Sequence, residues 1–282
     1  MRVFIAIDME GATGVVHRDQ LMPEGRGYPA AQRLLTRDVN AVIAGIRSVE
    51  PDADIVVGDG HGVMRNVLLD ELDPSARLVI GPANVANKPL CQLEGVQFGA
   101  DVAFCIGYHS MAGTAGGLLA HTYVGSLIRE LRLNGHPAGE VEVNASVLAS
   151  FGVPLAMVSG NSDVEAELRA WNDRSVFVST KQSLGPTAAI CKTPTTTARE
   201  LEAGARRAME DRTTWYLPHA GRTRIEIDTF QREQFHRAMQ SGVVVGVGEM
   251  TFAADHDHAA EAFRHAWRAC TMALDEASAW LK

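Results

Sequence analysis

Cysteine is scarce in this chain, and its four copies, Cys91, Cys105, Cys191 and Cys270, stand far apart with no C-x-x-C spacing. That spacing excludes a disulfide framework and a thiolate zinc cluster, and it reads as buried thiols in a reducing compartment. A block of like charge is also missing. The sums, 26 Lys and Arg against 34 Asp and Glu, leave a net charge of −8, which argues against a nucleic-acid footprint. No apolar stretch approaches the ~20 residues of a membrane span. The apolar run Val3 to Ile7 is shorter than the ~7–15 residues of a secretion signal's core, and acidic residues follow it at once. We therefore expect a cytoplasmic protein with no membrane association. Internal repeats and low-complexity tracts are absent as well.

What is present is the composition of a globular chain with ample core: 282 residues, 46% hydrophobic and 21% charged, enough for one large or two modest domains. Brief apolar runs at 3–7, 54–58, 101–106 and 154–159 end in polar or Gly-containing turns, as strands buried on both faces of a parallel sheet do. Between the first two, Leu34, Leu35, Val39, Val42, Ile43 and Ile46 form one stripe of a helix near 29–48. Strand–helix–strand recurs, so the class is α/β, a mostly parallel sheet flanked by helices. Residues 118–133 read as two strand-like runs that end at the hairpin signal Asn134-Gly135, with a short return strand at His136-Pro137.

After about residue 185 the pattern changes to a smaller α+β unit. It comprises a helical run after Thr193-Pro194, alternation over Arg222–Asp228, a helix near 230–240, one or two strands over Val243–Phe252, and a long amphipathic helix carrying Ala262, Phe263, Ala266, Trp267, Cys270, Leu274 and Leu281. The expected division is thus an α/β domain over 1–185, home to the candidate metal-binding and catalytic residues considered next, and a smaller domain over 186–282, whose apolar last helix fits oligomerisation and pocket formation.

Ligands of an open parallel sheet bind at the carboxyl ends of its strands. Asp8 and Glu10 follow the first strand, Asp59 and His61 the second, His109 the run at 101–106, and Glu140 opens a helix after the hairpin. Each alone has a plainer reading, as a helix cap, a turn former or a solvated side chain. Together, three carboxylates and two imidazoles suit a borderline cation such as zinc. Five donors exceed one catalytic site, and a bridging carboxylate, Asp8, would let them serve two ions.

Six motifs in fixed order carry a resemblance: IDMEG at 7–11, LLTRDVN at 34–40, GDGHG at 58–62, GYHS at 107–110, GGLLAHT at 116–122 and NGHPAGEVEVNA at 134–145. On them the chain resembles the DppA-type D-aminopeptidases, a family of binuclear zinc peptidases. The resemblance implies two zinc ions held by Asp8, Glu10, His61, His109 and Glu140, with His121 as the catalytic histidine. It implies hydrolysis of the N-terminal residue of short peptides such as D-Ala-D-Ala, by hydroxide shared between the ions with His121 assisting. The family's histidine has also been viewed as a nucleophile. A ring-shaped homo-oligomer, a decamer by family precedent, is implied too. The loop Met111–Gly117 is richer in glycine than the family pattern, which leaves the preference for a D-residue open.

Around these positions, Asp59 is expected to orient a ligand imidazole or to face water in its turn. Asn144, four residues after Glu140, is expected to bond that carboxylate or substrate, or to cap local backbone. His121, in the apolar frame Leu118-Leu119-Ala120, is placed at or near a strand end. Thr36, Asp38 and Asn40 recur in the family pattern, and on a helix they read equally as packing and surface residues. Lys181-Gln182 is read as a contact to a substrate carboxylate or a surface ion pair. Asp255-His256-Asp257-His258 is read as the solvent-facing start of the last helix, and Gly246-Val247-Gly248 lacks a dinucleotide fingerprint. Two alternatives stand beside the leading one: a metal-dependent amidase acting on L-peptides or other small amides, and a non-hydrolytic small-molecule-binding module with Gly58–Gly62 as an anion turn.

Overall fold

The structure, a computed structural model, describes residues 1–82 and 86–274. Its first sheet contains β1 (Arg2–Ile7), β2 (Asp54–Asp59), β3 (Ala76–Val79), β4 (Val102–Tyr108), β7 (Leu155–Asn161), β8 (Val176–Gly185) and β9 (Ala188–Cys191). The order is β3-β2-β1-β4-β7-β8-β9. All pairs are parallel except β8 with β9. The second sheet, antiparallel, runs β11-β12-β10-β5-β6, with β5 at Ile128–Leu133, β6 at His136–Pro137, β10 at Thr223–Thr229, β11 at Val245–Gly246 and β12 at Thr251–His256. It draws on both halves of the chain, since β5 and β6 precede β7 in sequence.

The helices are α1 (Tyr28–Arg47), α2 (Glu140–Ala149), α3 (Ser162–Arg169), α4 (Pro194–Glu210), α5 (Arg232–Met239) and α6 (Ala259–Ala273). Period-two alternation in β1 divides the interior. Val3, Ile5 and Ile7 pack with α1 and α4 residues such as Leu35, Val39, Leu201 and Ala205 on one face. Phe4 and Ala6 belong to the opposite core, which joins α2, α6 and the inner face of the second sheet through Val147, Phe263, Trp267, Leu131 and Ile227. The mixed α/β class with a mostly parallel sheet is the one expected. Among the described residues, no helix is long and apolar enough to cross a membrane.

Several local expectations need correction. Residues 118–127 form no strand; left-handed backbone at Leu119 (φ 53°) and Tyr123 (φ 50°) cannot belong to a pleated ladder. His121 therefore sits in an irregular loop rather than at a strand end. Asp255 and His256 finish β12, and the last helix begins only after His258, its N-cap. Leu281 of the expected stripe lies outside the described residues. Cys191 is exposed, unlike the other three thiols.

Candidate metal centre

Three adjacent parallel strands, β2, β1 and β4, end side by side, and the chain beyond each turns over the same spot. Asp8 N–H donates to the Ile106 carbonyl at 2.9 Å, and Gly11 N–H to the Gly107 carbonyl at 2.7 Å. This approach depends on missing side chains: a Cβ on Gly11 would lie 1.9 Å from the Tyr108 carbonyl oxygen, and one on Gly107 (φ +81°) 2.2 Å from that of Asp8. Glu140 arrives from elsewhere, as the first residue of α2 after the β5–β6 hairpin.

The side chains converge on Asp8. His61 Nδ1 lies 3.5 Å from Asp8 Oδ1 and 2.9 Å from Glu10 Oε2. On the other side His109 Nε2 lies 3.2 Å from Asp8 Oδ2 and 3.3 Å from Glu140 Oε1. Two sets of donors, Asp8–Glu10–His61 and Asp8–His109–Glu140, each hold their ligand atoms within 4.8 Å of one another. Asp8 belongs to both and turns a different oxygen toward each. A third set, Glu10–His109–His121, meets the same limit.

Hydrogen bonds fix which imidazole nitrogen faces the carboxylates. His61 Nε2 donates to the Leu21 carbonyl at 3.0 Å, His109 Nδ1 to that of Ser110 at 2.9 Å, and His121 Nδ1 to that of Leu119 at 2.8 Å. A carbonyl only accepts, so the remaining nitrogen of each neutral ring presents a lone pair to the centre. Asp8 Oδ2 and Glu10 Oε2 are buried with no hydrogen-bond partner. Lone pairs facing lone pairs at such distances call for a proton or a cation between them. Burial opposes charge on His61 and His109, yet the carboxylates of Glu10, Asp8 and Glu140 hold both imidazoles well above the ordinary value. Burial likewise works against the Glu10 carboxylate, and the three imidazoles around it nevertheless hold it well below the usual range. Three carboxylates and two oriented imidazoles fit a pair of divalent ions by donor type and by these orphaned oxygens.

His121 lies against the opposite side of His109, its Nε2 3.7 Å from Glu10 Oε1 and its side chain 26% exposed. Glu140 is held by the Tyr123 N–H (2.7 Å to Oε1) and by Gln92 Nε2 on Oε2. Gln92 had no signature in the sequence. Its Oε1 accepts from Tyr108 OH at 2.8 Å and from Asn144 Nδ2 at 2.6 Å, and Asn144 Oδ1 accepts from Tyr123 OH at 3.0 Å. Asn144 thus steadies the groups that hold Glu140 without bonding the carboxylate itself.

Asp59 does not reach an imidazole. Both of its oxygens are taken by Asn66 and by Val67 N–H, and Asn66 Nδ2 in turn holds the His61 carbonyl. Lys181 neither faces solvent nor lines the cavity. It is fully buried, donating from Nζ to the carbonyls of Glu10 (2.9 Å) and Ala12 (2.6 Å), and burial pulls its pKa down to about 7. Asp38 ties down the same loop through Thr13 N–H and Oγ1, each at 2.8 Å. Thr36 Oγ1 caps Leu68 N–H, and Asn40 binds backbone at Glu71 and Asp73.

The centre opens on a cavity of about 610 Å³ lined by Asp8, Glu10, His61, His121, Glu140, Arg18 and Trp267. This lies within the usual range of small-ligand sites, roughly 300–1,000 Å³. Met64, Cys91, Leu119 and Tyr123 line it as well, and all four hold left-handed φ between 50° and 53°. Such strain in non-glycine residues collects at functional sites.

A curated D-aminopeptidase of Bacillus subtilis (strain 168) is 28% identical over 202 residues, 71% of each protein. The solved Zn-dependent D-aminopeptidase DppA from Bacillus subtilis, described as a self-compartmentalizing protease, shares the fold with a TM-score of 0.89, covering 97% of this chain and 98% of that one at 24% identity. The sequence profile of the D-aminopeptidases matches residues 1–267; the chain belongs to the D-aminopeptidase family of peptide-hydrolysing enzymes.

Proposed function

We propose that this chain is a zinc-dependent aminopeptidase that removes the N-terminal residue of short peptides, D-residue peptides such as D-Ala-D-Ala among them. The observation that carries this reading is the pair of donor sets meeting at Asp8 beneath a cavity of peptide size. In it, Asp8, Glu10 and His61 hold one ion and Asp8, His109 and Glu140 the other. When bound, two such ions supply Lewis acidity toward a water and toward the scissile carbonyl.

The chain's own groups do the rest. The three carboxylates offset most of the cationic charge, and a free α-amine bound at the centre would restrict cleavage to the amino end. His121, with Nδ1–H committed to the Leu119 carbonyl, offers Nε2 to the cavity. There it can hold a proton for the departing amine or donate to the oxygen on which charge develops. Packing of Trp267 and Phe263 around Tyr123, with ring centroids 6.0 Å and 5.4 Å away, holds that side of the cavity wall in place. The reading extends to a homo-oligomer, with a decamer as the expected size.

The experiment is hydrolysis of D-Ala and L-Ala para-nitroanilides and dipeptides by protein loaded with zinc, with metal content measured alongside. Two zinc ions per chain and faster cleavage of the D-substrates are expected. Equal or faster cleavage of L-substrates would move the enzyme to the L-peptide or small-amide reading. A protein that holds no transition metal and gains no activity from zinc would overturn the assignment. Light scattering reads the assembly, with ten copies of a 30.4 kDa chain expected to move together.

A further inference from the structure

One cation lines the acidic cavity without a task. Asp8, Glu10, Glu140, His61 and His121 belong to its floor, and Arg18 is the only Arg or Lys among the described residues of its wall. Among those residues the Arg18 guanidinium makes no hydrogen bond or ion pair, and its side chain is exposed. Its backbone, by contrast, is fixed. Arg18 starts a single 3-10 turn, Arg18–Gln20. Gln20 Oε1 accepts from Val16 N–H (2.8 Å) and His17 N–H (3.1 Å), while Gln20 Nε2 donates to the Gly14 carbonyl at 2.9 Å. Asp19 clamps the far side of the loop through Arg26 N–H (3.0 Å) and Gly27 N–H (2.8 Å). The turn ends at Leu21, whose carbonyl receives His61 Nε2 at 3.0 Å. A platform fixed by these hydrogen bonds thus carries the guanidinium, unpartnered among the described residues, and is tied through Leu21 to His61 of the metal centre.

We propose that Arg18 recognises the C-terminal carboxylate of a short peptide and so selects di- and tripeptides with a free acid end. The inference rests on the aminopeptidase reading above, which puts the peptide's amine at the floor. Three residues of 3-10 turn separate Arg18 from Leu21 by about 6 Å. A peptide advances about 3.3–3.6 Å per residue, so a di- or tripeptide is of the size to fit a cavity lined by both the metal-site carboxylates and Arg18. Arginine is suited to the task because its planar fork meets both carboxylate oxygens. A long peptide has no carboxylate at that distance and would gain nothing from the contact.

The test compares D-Ala-D-Ala with its C-terminal amide on zinc-loaded wild type, Arg18→Gln and Arg18→Lys. Wild type should favour the free acid, and in Arg18→Gln the free-acid over amide ratio of kcat/KM should fall at least about tenfold, chiefly through KM. Arg18→Lys should restore part of it. Equal handling of acid and amide by wild type, or a ratio that Arg18→Gln leaves unchanged, would overturn the proposal. Calorimetric binding of the two compounds in a His121→Ala background separates this inference from the reading beneath it. Preference for the acid that Arg18→Gln abolishes supports the Arg18 contact even in a protein that hydrolyses neither compound. Equal binding of acid and amide rejects the contact even in an active peptidase.

Discussion

The rings of His109 and His121 lie face to face, their centroids 4.0 Å apart and their planes 7° from parallel. Each is pinned at Nδ1 to a backbone carbonyl, so neither can turn without losing that bond. The stacked imidazoles face different carboxylates: His109 Nε2 turns to Asp8 and Glu140, and His121 Nε2 turns to Glu10 at the cavity wall.

Replacing His121 by alanine should therefore spare the metal and remove the proton transfer. We expect His121→Ala to keep its full complement of zinc while kcat falls by about 10²–10⁴-fold, the usual worth of a general acid or base. Elemental analysis and single-turnover rates read the two effects separately. A rate near that of the wild type would take His121 out of the mechanism.

Asp8 stands in both donor sets, whereas Glu140 and His61 stand in one each of the two that share it. Asp8→Ala should bind no zinc, and Glu140→Ala should keep a single ion per chain. Stoichiometry by mass spectrometry of the native protein distinguishes them. Two ions retained in Asp8→Ala would rule out the bridging arrangement.

Gln92 holds Glu140 and is itself held by Tyr108 and Asn144. Gln92→Leu should weaken one of the two ions by about 10–100-fold, the cost of losing the partner that orients a ligand, and leave the other in place. Competition against a chelator should then show one tight and one loosened site. Two sites of unchanged affinity would mean that Tyr123 N–H alone suffices to orient Glu140.

Without metal, His61 and His109 keep their protons to a pH well above the ordinary imidazole value, because the carboxylates around them outweigh burial. Zinc binds only the neutral ring, so loading near pH 7 must expel those protons, and affinity must decline as pH falls. The same sign applies to the metal-free fold: stability drawn from these pairs is present below the unfolded value of 6.5 and is lost as pH rises through the raised folded values. Calorimetry in two buffers of different ionisation enthalpy counts the protons. Metal binding at pH 7 without proton release would contradict the charged pairs.

Much of the fold was legible because buried parallel strands and amphipathic helices leave short-range patterns. The runs at 3–7 and 54–58, the stripe of α1, and Asn134-Gly135 at the hairpin each announced their element. Asp8, Glu10, His61 and His109 stood out for a related reason, since residues just past the strand ends of one sheet share a location through topology, whereas Glu140, at the start of α2, was picked out by the motif NGHPAGEVEVNA. Gln92 and Lys181 were not, because their partners lie far off in sequence: Gln92 meets Glu140 across 48 positions and Lys181 meets Glu10 across 171. The apolar Leu118-Leu119 pair imitated a strand, and only backbone conformation distinguishes the loop it forms. Asp255 to His258 imitated a helix start because its acidic and polar residues suit a cap, yet pairing with β10 extends β12 to His256.

The four left-handed wall residues have a consequence for heat. Each non-glycine residue held there costs on the order of 1 kcal/mol, and the chain's net stability should be only about 5–15 kcal/mol. Relaxation at Leu119 or Tyr123 releases that cost without disturbing either sheet. Warming should then blunt turnover at temperatures where circular dichroism still reports intact helices and strands, with activity returning on cooling.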